Sequence, residues 1–188
     1  SCCHMKSTIT AISALAHDDI TGVNNDLPWK PGEFPQDMKF FREQTEGKVV
    51  IMGRNTWDSI PENYRPLKKR KNIVVSRFPK PEEEFVFGLN HVLNLIKTEP
   101  AEYMIIGGSE IYKTFLPMCS SLLITHIDKH VVTKENDNVV RFPKEYKEMF
   151  MGEKIREDGP GKFVTYTTQQ GSEKGPHCMR KKKKDDVP

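Results

Sequence analysis

The chain has 188 residues, 36% of them hydrophobic and 29% charged, enough to bury one sizeable core beneath a well-solvated surface. Its formal net charge of +3 equals the excess of six Lys or Arg over three Asp or Glu within residues 171–188. The remainder is balanced, which argues against a general nucleic-acid surface, and the apolar runs at 48–52 and 103–106 are far below the roughly 20 residues that span a bilayer.

Ser1-Cys2-Cys3-His4-Met5 lacks the basic start and long apolar run of a secretory signal, and reads as a cloning remnant or frayed terminus ahead of Lys6. Cys2, Cys3, Cys119 and Cys178 show no paired metal-ligand spacing. They are expected to be reduced thiols of a cytoplasmic protein, with no bound metal. Residues 8–14, small and β-branched, predict a first strand, and 16–31, rich in Gly, Asn, Asp and Pro, a loop. Pro35 opens a helix over 35–45 that carries Met38, Phe41 and Gln44 at helical intervals before Gly47 closes it. Strand 48–52 and a short helix at 55–60 follow, then strands 72–76 and 85–87, helix 91–97 and strand 103–106. Gly107-Gly108 opens a helix through Phe115, 122–127 is a further strand, and 153–157 with 162–168 form a hairpin about Asp158-Gly159-Pro160-Gly161.

This alternation predicts an α/β fold: a doubly wound, mostly parallel eight-stranded sheet with an antiparallel C-terminal hairpin and about four flanking helices. Ligands are expected at the carboxyl ends of the strands. One domain is expected over 6–170, and 171–188, ending in Arg180-Lys181-Lys182-Lys183-Lys184-Asp185-Asp186, is too polar to pack and is expected to be disordered.

Four segments in this order and spacing resemble the dihydrofolate reductase family: Gly22-Val23-Asn24-Asn25-Asp26-Leu27-Pro28-Trp29, Asp37-Met38-Lys39-Phe40-Phe41-Arg42, Val50-Ile51-Met52-Gly53-Arg54-Asn55-Thr56-Trp57-Asp58-Ser59-Ile60, and Ile105-Ile106-Gly107-Gly108-Ser109-Glu110-Ile111-Tyr112. Arg65-Pro66-Leu67 running into Arg70, and residues 122–128, extend the resemblance over roughly 8–169. It implies NADPH-dependent reduction of 7,8-dihydrofolate to 5,6,7,8-tetrahydrofolate, by hydride transfer to C6 with protonation at N5, feeding one-carbon metabolism and thymidylate synthesis. Antifolates would be inhibitors, and a monomer is expected.

On the helix alone, Asp37 is an acid in a first turn, where the helix dipole favours it, with Phe41 on the same face four residues on. The resemblance makes that face the pterin seat, where two carboxylate oxygens can accept the paired N–H donors of the ring. Water is the expected proton source, with Asp37 polarising the ring. Thr125 and Trp29, by themselves a strand threonine and a core-edge tryptophan, match the residues that bond the carboxylate and hold a water; Leu27 and Gly22 match the loop that closes over nicotinamide. Pro31-Gly32-Glu33-Phe34 makes the connection to the helix slightly longer than the compact bacterial pattern.

The resemblance also places Ile12, Phe41, Ile60, Leu67 and Ile106 along an apolar substrate slot, and makes Arg70, within a charge run that would otherwise be a solvated turn, the fork for the α-carboxylate of the glutamate tail. Arg54 after Gly53, with Ser76 and Arg77, would receive the 2′-phosphate of NADPH, while Asn55, Thr56, Ala14, Gly107, Gly108, Ser109, Glu110, Ile111 and Tyr112 complete the cofactor side. Gly107-Gly108 does not satisfy the longer spaced-glycine fingerprint but matches this family's version, in which a cis peptide joins the two glycines. A pyrimidine reductase on the same scaffold and a noncatalytic folate-binding homologue remain as alternatives; the combination of Asp37, Phe41 and Arg70 favours a pterin with a glutamyl tail.

Overall fold

The computed structural model describes residues 6–168. In chain order the strands and helices are β1 (Thr8–Leu15), β2 (Ile20–Val23), α1 (Pro35–Thr45), β3 (Val49–Gly53), α2 (Arg54–Ser59), β4 (Lys71–Val75), β5 (Val86–Phe87) and α3 (Leu89–Thr98). They continue with β6 (Glu102–Gly107), α4 (Ser109–Phe115), β7 (Ser121–Ile127), β8 (Val139–Arg141), α5 (Tyr146–Met149), β9 (Phe150–Asp158) and β10 (Gly161–Thr168). Eight strands form one sheet in the order β5-β4-β3-β6-β1-β7-β10-β9, parallel up to β7 and antiparallel through the closing hairpin.

Both faces of this sheet are covered, so its inner strands are apolar on both sides and alternate between two cores. Ile9, Ala11, Val49, Ile51, Ile73, Tyr103, Ile105, Leu122 and Ile124 meet Val92 and Ile96 of α3 and Phe115 of α4. The intervening Ile12, Val50, Met52, Val74 and Met104 meet Phe40 and Phe41 of α1 and Trp57 of α2. The period of two thereby decides which helix each strand residue touches.

One sequence expectation is corrected. Residues 16–31 do not form a loop throughout, because Ile20–Val23 pairs antiparallel with Val139–Arg141 in a separate two-stranded sheet. Asn24 and Asn25 take left-handed φ of 51° and 65°, a conformation asparagine tolerates, and reciprocal Val23–Asp26 backbone bonds of 2.9 and 3.0 Å close the turn. Asn24 also donates from Nδ2 to Asp137 at 2.9 Å and accepts from the Asn138 backbone N–H at 2.8 Å. Pairing to a segment more than a hundred residues away leaves no local signature. The α-helices among the described residues number five, in line with the expected about four, α5 being only 4 residues long. The remaining elements agree within a few residues; β9 is longer than the expected 153–157.

The expectations for residues 1–5 and for the basic tail lie outside the described residues, as do Cys2, Cys3 and Cys178. Cys119 is a buried free thiol whose pKa burial pushes up to about 12, which leaves it protonated and unreactive. Among the described residues no helix is long and apolar enough to cross a membrane.

Candidate active site

The parallel strands β1, β3 and β6 end side by side, with Met52 opposite Gly107 and Gly53 opposite Val75 of β4. Two helices begin there, α2 at Arg54 and α4 at Ser109, and α1 lies across the sheet face that carries Ile12. The geometry defines a crevice at the carboxyl ends of the strands, beside the point where the strand order reverses about β1.

Asp37 occupies the first turn of α1. Thr125 in β7 points to the same side of the sheet, since its neighbour Ile124 belongs to the opposite core. The Asp37 carboxyl is only partly exposed, and burial raises its pKa above the ordinary aspartate value, against a smaller lowering by the Thr125 hydroxyl. That contact falls outside ordinary hydrogen-bond geometry: Thr125 Oγ1 is buried with no hydrogen-bond partner. Desolvation therefore dominates, and an orphaned hydroxyl beside a desolvated acid is an arrangement a polar ligand or water would complete.

Phe41, Ile60, Leu67 and Ile106 pack around Ile12 in one apolar cluster, so all five expected slot residues converge. Arg70 closes its outer end, with its guanidinium 6.0 Å from the Phe41 ring and Nη1 donating to Thr45 Oγ1 at 2.9 Å. Nε donates to the Lys68 carbonyl at 2.9 Å. Buried Asn72 braces this turn, donating to the carbonyls of Leu67 and Arg70 and accepting from the Leu67 N–H. Arg70 has no ion-paired carboxylate among the described residues, and burial lowers its pKa, partly offset by the charge of Glu46 and added to by the charge of Arg42. A partly desolvated cation without a counter-ion favours an incoming anion.

Trp29 is buried, edge-on to Phe34 at 5.4 Å between ring centroids, in a cluster with Ala14, Ala16, Ile20 and Ile127. Its position is set by Ala14, which pairs with Thr125 across β1 and β7. Leu27 is 52% exposed. Gly22 is a β2 residue paired with Val140, so this stretch of the expected closing loop is anchored in a sheet.

On the other side of the crevice, Gly107 and Gly108 are joined by a cis peptide, with Gly107 at φ 128°. A Cβ on Gly107 would lie 3.2 Å from Thr56 Oγ1, and one on Gly53 would lie 2.9 Å from Ile111 Cγ1, so glycine at both positions allows the two turns to pack together. Tyr112 fixes α4 to β1 by donating to the Ile12 carbonyl at 2.7 Å, and burial raises its pKa. Gly107→Ala is expected to destabilise the fold by about 1–3 kcal/mol through backbone strain, read as a lower denaturant midpoint with an unchanged m-value; an unchanged midpoint would show that the turn accepts a side chain.

Arg54 forms a two-pronged ion pair with Glu83, Nη1–Oε1 2.6 Å and Nη2–Oε2 2.8 Å, and the Arg54 hydrogen bonds hold the Glu83 carboxyl down at about 2. Arg77 is 3.5 Å from Glu110 on the surface. Ser76 Oγ accepts the Phe78 N–H at 3.2 Å. Asn55 is exposed beside Arg54, and Ser109 Oγ donates to the Arg141 carbonyl at 3.3 Å. Sequence reasoning missed Glu83, Thr45 and Asn72. Glu83 sits in the acidic run Glu82-Glu83-Glu84, where nothing distinguishes it from its neighbours.

The fold and crevice define an α/β enzyme whose ligands lie across the ends of parallel strands. The family profile for dihydrofolate reductase matches residues 8–167, and the chain belongs to that family of oxidoreductases. It is 34% identical over 134 residues to the dihydrofolate reductase of Mycobacterium leprae (strain TN), spanning 70% of this chain and 79% of that protein. It is 42% identical over 123 residues to dihydrofolate reductase type 3 of Salmonella typhimurium, spanning 64% and 72%. The fold is also similar to that of the dihydrofolate reductase from Enterococcus faecalis complexed with NADP(H) and RAB-propyl, with a TM-score of 0.72, 24% identity, and coverage of 86% of this chain and 96% of that one.

Proposed function

We propose that this chain reduces 7,8-dihydrofolate to 5,6,7,8-tetrahydrofolate with NADPH, using Asp37 as the anion that seats and polarises the pterin. The observation that carries this reading is the desolvated Asp37 carboxyl beside the orphaned Thr125 hydroxyl, at the inner end of an apolar slot whose outer end holds the unpaired Arg70. A slot with an acid at one end and a cation at the other complements a ring bearing N–H donors joined through an apolar linker to a carboxylate.

The two glycine turns fit a dinucleotide, because residues 53, 107 and 108 place no side chain over the starts of α2 and α4. Arg54, Ser76 and Arg77 would hold the 2′-phosphate, with Asn55, Thr56, Ser109, Glu110 and Ile111 around the rest. NADPH supplies the hydride when bound. Asp37 orients the ring, and its negative charge favours the protonated, cationic form of the ring, raising the basicity of N5; Thr125 and Trp29 retain the water that protonates it. The Trp29 indole N–H would be the donor to that water. Leu27 and the Gly22 turn bound the nicotinamide side, and Ile106 and Tyr112 support the ring contact.

The test is a steady-state assay of NADPH oxidation with dihydrofolate, repeated with NADH. Turnover is expected with NADPH and much less with NADH; activity with neither overturns the reading. Arg54→Ala is expected to reduce the NADPH-over-NADH preference roughly tenfold or more, about 1.4 kcal/mol. Because Glu83 already pairs with Arg54, the phosphate competes with a carboxylate for this fork. An unchanged preference would place the 2′-phosphate elsewhere.

A further inference from the structure

β1 and β7 run parallel, with Leu15 opposite His126. Continuing that register two residues brings His17 beside Asp128, and the period of two along an extended chain returns His130 to the same side. His17 Nε2 lies 2.6 Å from Asp128 Oδ1, and the His17 and His130 rings stack with centroids 3.9 Å apart and planes 2° from parallel. One donor atom from each of the three residues lies within 4.8 Å of the others, and all three residues are exposed.

We propose that His17, Asp128 and His130 form a surface site for a divalent first-row transition ion of the zinc class. Two imidazoles and one carboxylate suit such an ion better than the all-oxygen sets preferred by magnesium or calcium. Zinc bound at about 2.0–2.1 Å separates tetrahedral donors by about 3.4 Å, so the His17–Asp128 contact would open slightly and the set would otherwise contract. Exposure leaves the remaining position to water. The backbone limits how far the ligands can drift: His17 N–H donates to the Lys129 carbonyl at 3.0 Å, Lys129 N–H to Ile127 at 2.8 Å, and Asp128 N–H to Pro160 at 2.9 Å.

None of the three ligands is among the residues assigned to the substrate slot or the cofactor side. The site joins the exits of two central strands, three residues before β2 begins, and His17 and Asp128 line a groove of roughly 480 Å³ that also includes Leu15, Glu157 and Lys162. A bound ion would therefore cross-link the two loops that leave β1 and β7, and stabilise the folded state in proportion to its concentration.

The test compares the full chain with His130→Gln, which removes a ligand but keeps the His17–Asp128 contact, and with His91→Gln, which removes an exposed histidine of α3. Zn²⁺ alone is titrated by calorimetry, and Tm is followed with Zn²⁺ and with Mg²⁺. His130→Gln is expected to bind one fewer zinc per chain and to lose the zinc-dependent rise in Tm, with unchanged dihydrofolate turnover in chelator; His91→Gln is expected to match the parent, and Mg²⁺ to give no rise. Cys2, Cys3, His4, His177 and Cys178 can also take zinc, but they are common to all three proteins, so the difference counts the proposed site. With Co²⁺, the parent minus His130→Gln difference spectrum is expected to show d–d absorption without a thiolate charge-transfer band. Equal stoichiometry in parent and His130→Gln, an equal loss in His91→Gln, or a thiolate band in that difference spectrum would overturn the proposal and leave His17–Asp128 as a plain hydrogen-bonded pair.

Discussion

Asp37→Asn is expected to lower turnover at neutral pH by on the order of a hundredfold or more while raising the Tm of the ligand-free protein. The loss follows from the donor pattern: a carboxylate accepts two parallel N–H bonds, whereas an amide turns one of its ends into a donor facing a donor, and the charge that polarises the ring is gone. The gain in stability follows from the direction of the pKa shift. Burial raises the folded-state pKa of Asp37, so the folded chain holds this proton more tightly than the unfolded chain does. Stability from that proton is fully present below the unfolded value of about 3.9 and is lost as the pH rises through the raised folded value. Above that value the parent carries an ionised, desolvated carboxylate that asparagine removes. The Tm difference should be largest near neutrality and narrow toward pH 4. A variant no more stable than the parent at pH 7, with near-normal turnover, would take Asp37 out of the proposed role on both counts.

Arg70→Lys should raise KM for dihydrofolate roughly thirtyfold, about 2 kcal/mol, with little change in kcat. Lysine keeps the charge but not the planar fork, and the existing bonds of Arg70 to Thr45 Oγ1 and the Lys68 carbonyl hold that fork in one orientation against Phe41. Because the contact is distant from the reacting ring, its loss weakens ground state and transition state alike. A dihydropterin lacking the glutamyl tail provides the control, since its kinetics should be the same with parent and variant. A similar rise in KM for the tailless substrate would mean that Arg70 shapes the slot rather than gripping the tail.

These two residues differ in how much of their meaning can be read without a structure. Asp37 as a helix-start acid carries little information, and Arg70 lies in the run Lys68-Lys69-Arg70-Lys71, where a solvated turn is the default. Segment order and spacing singled both out, through the family resemblance. Packing then gave them physical content: burial around the Asp37 carboxyl, an orphaned hydroxyl on Thr125, and Thr45 and Asn72 bracing the Arg70 turn. Glu83, by contrast, is one of three consecutive acids, and its pairing with Arg54 depends on how the chain returns from β4 to β5.

Local pattern sufficed for the eight-stranded sheet because alternation between two cores, glycine-marked strand ends and the Pro35 helix start are all written within short windows. The composition, the balanced charge outside residues 171–188 and the family to which the chain belongs were likewise set by the sequence alone. Tertiary structure decided what lies between distant segments: β2 against β8, Asn24 against Asn138, Glu83 on Arg54, and His17 beside Asp128 and His130. Each of these contacts joins residues far apart in the chain, with no periodicity connecting them, and arises only when the sheet register brings their strands together.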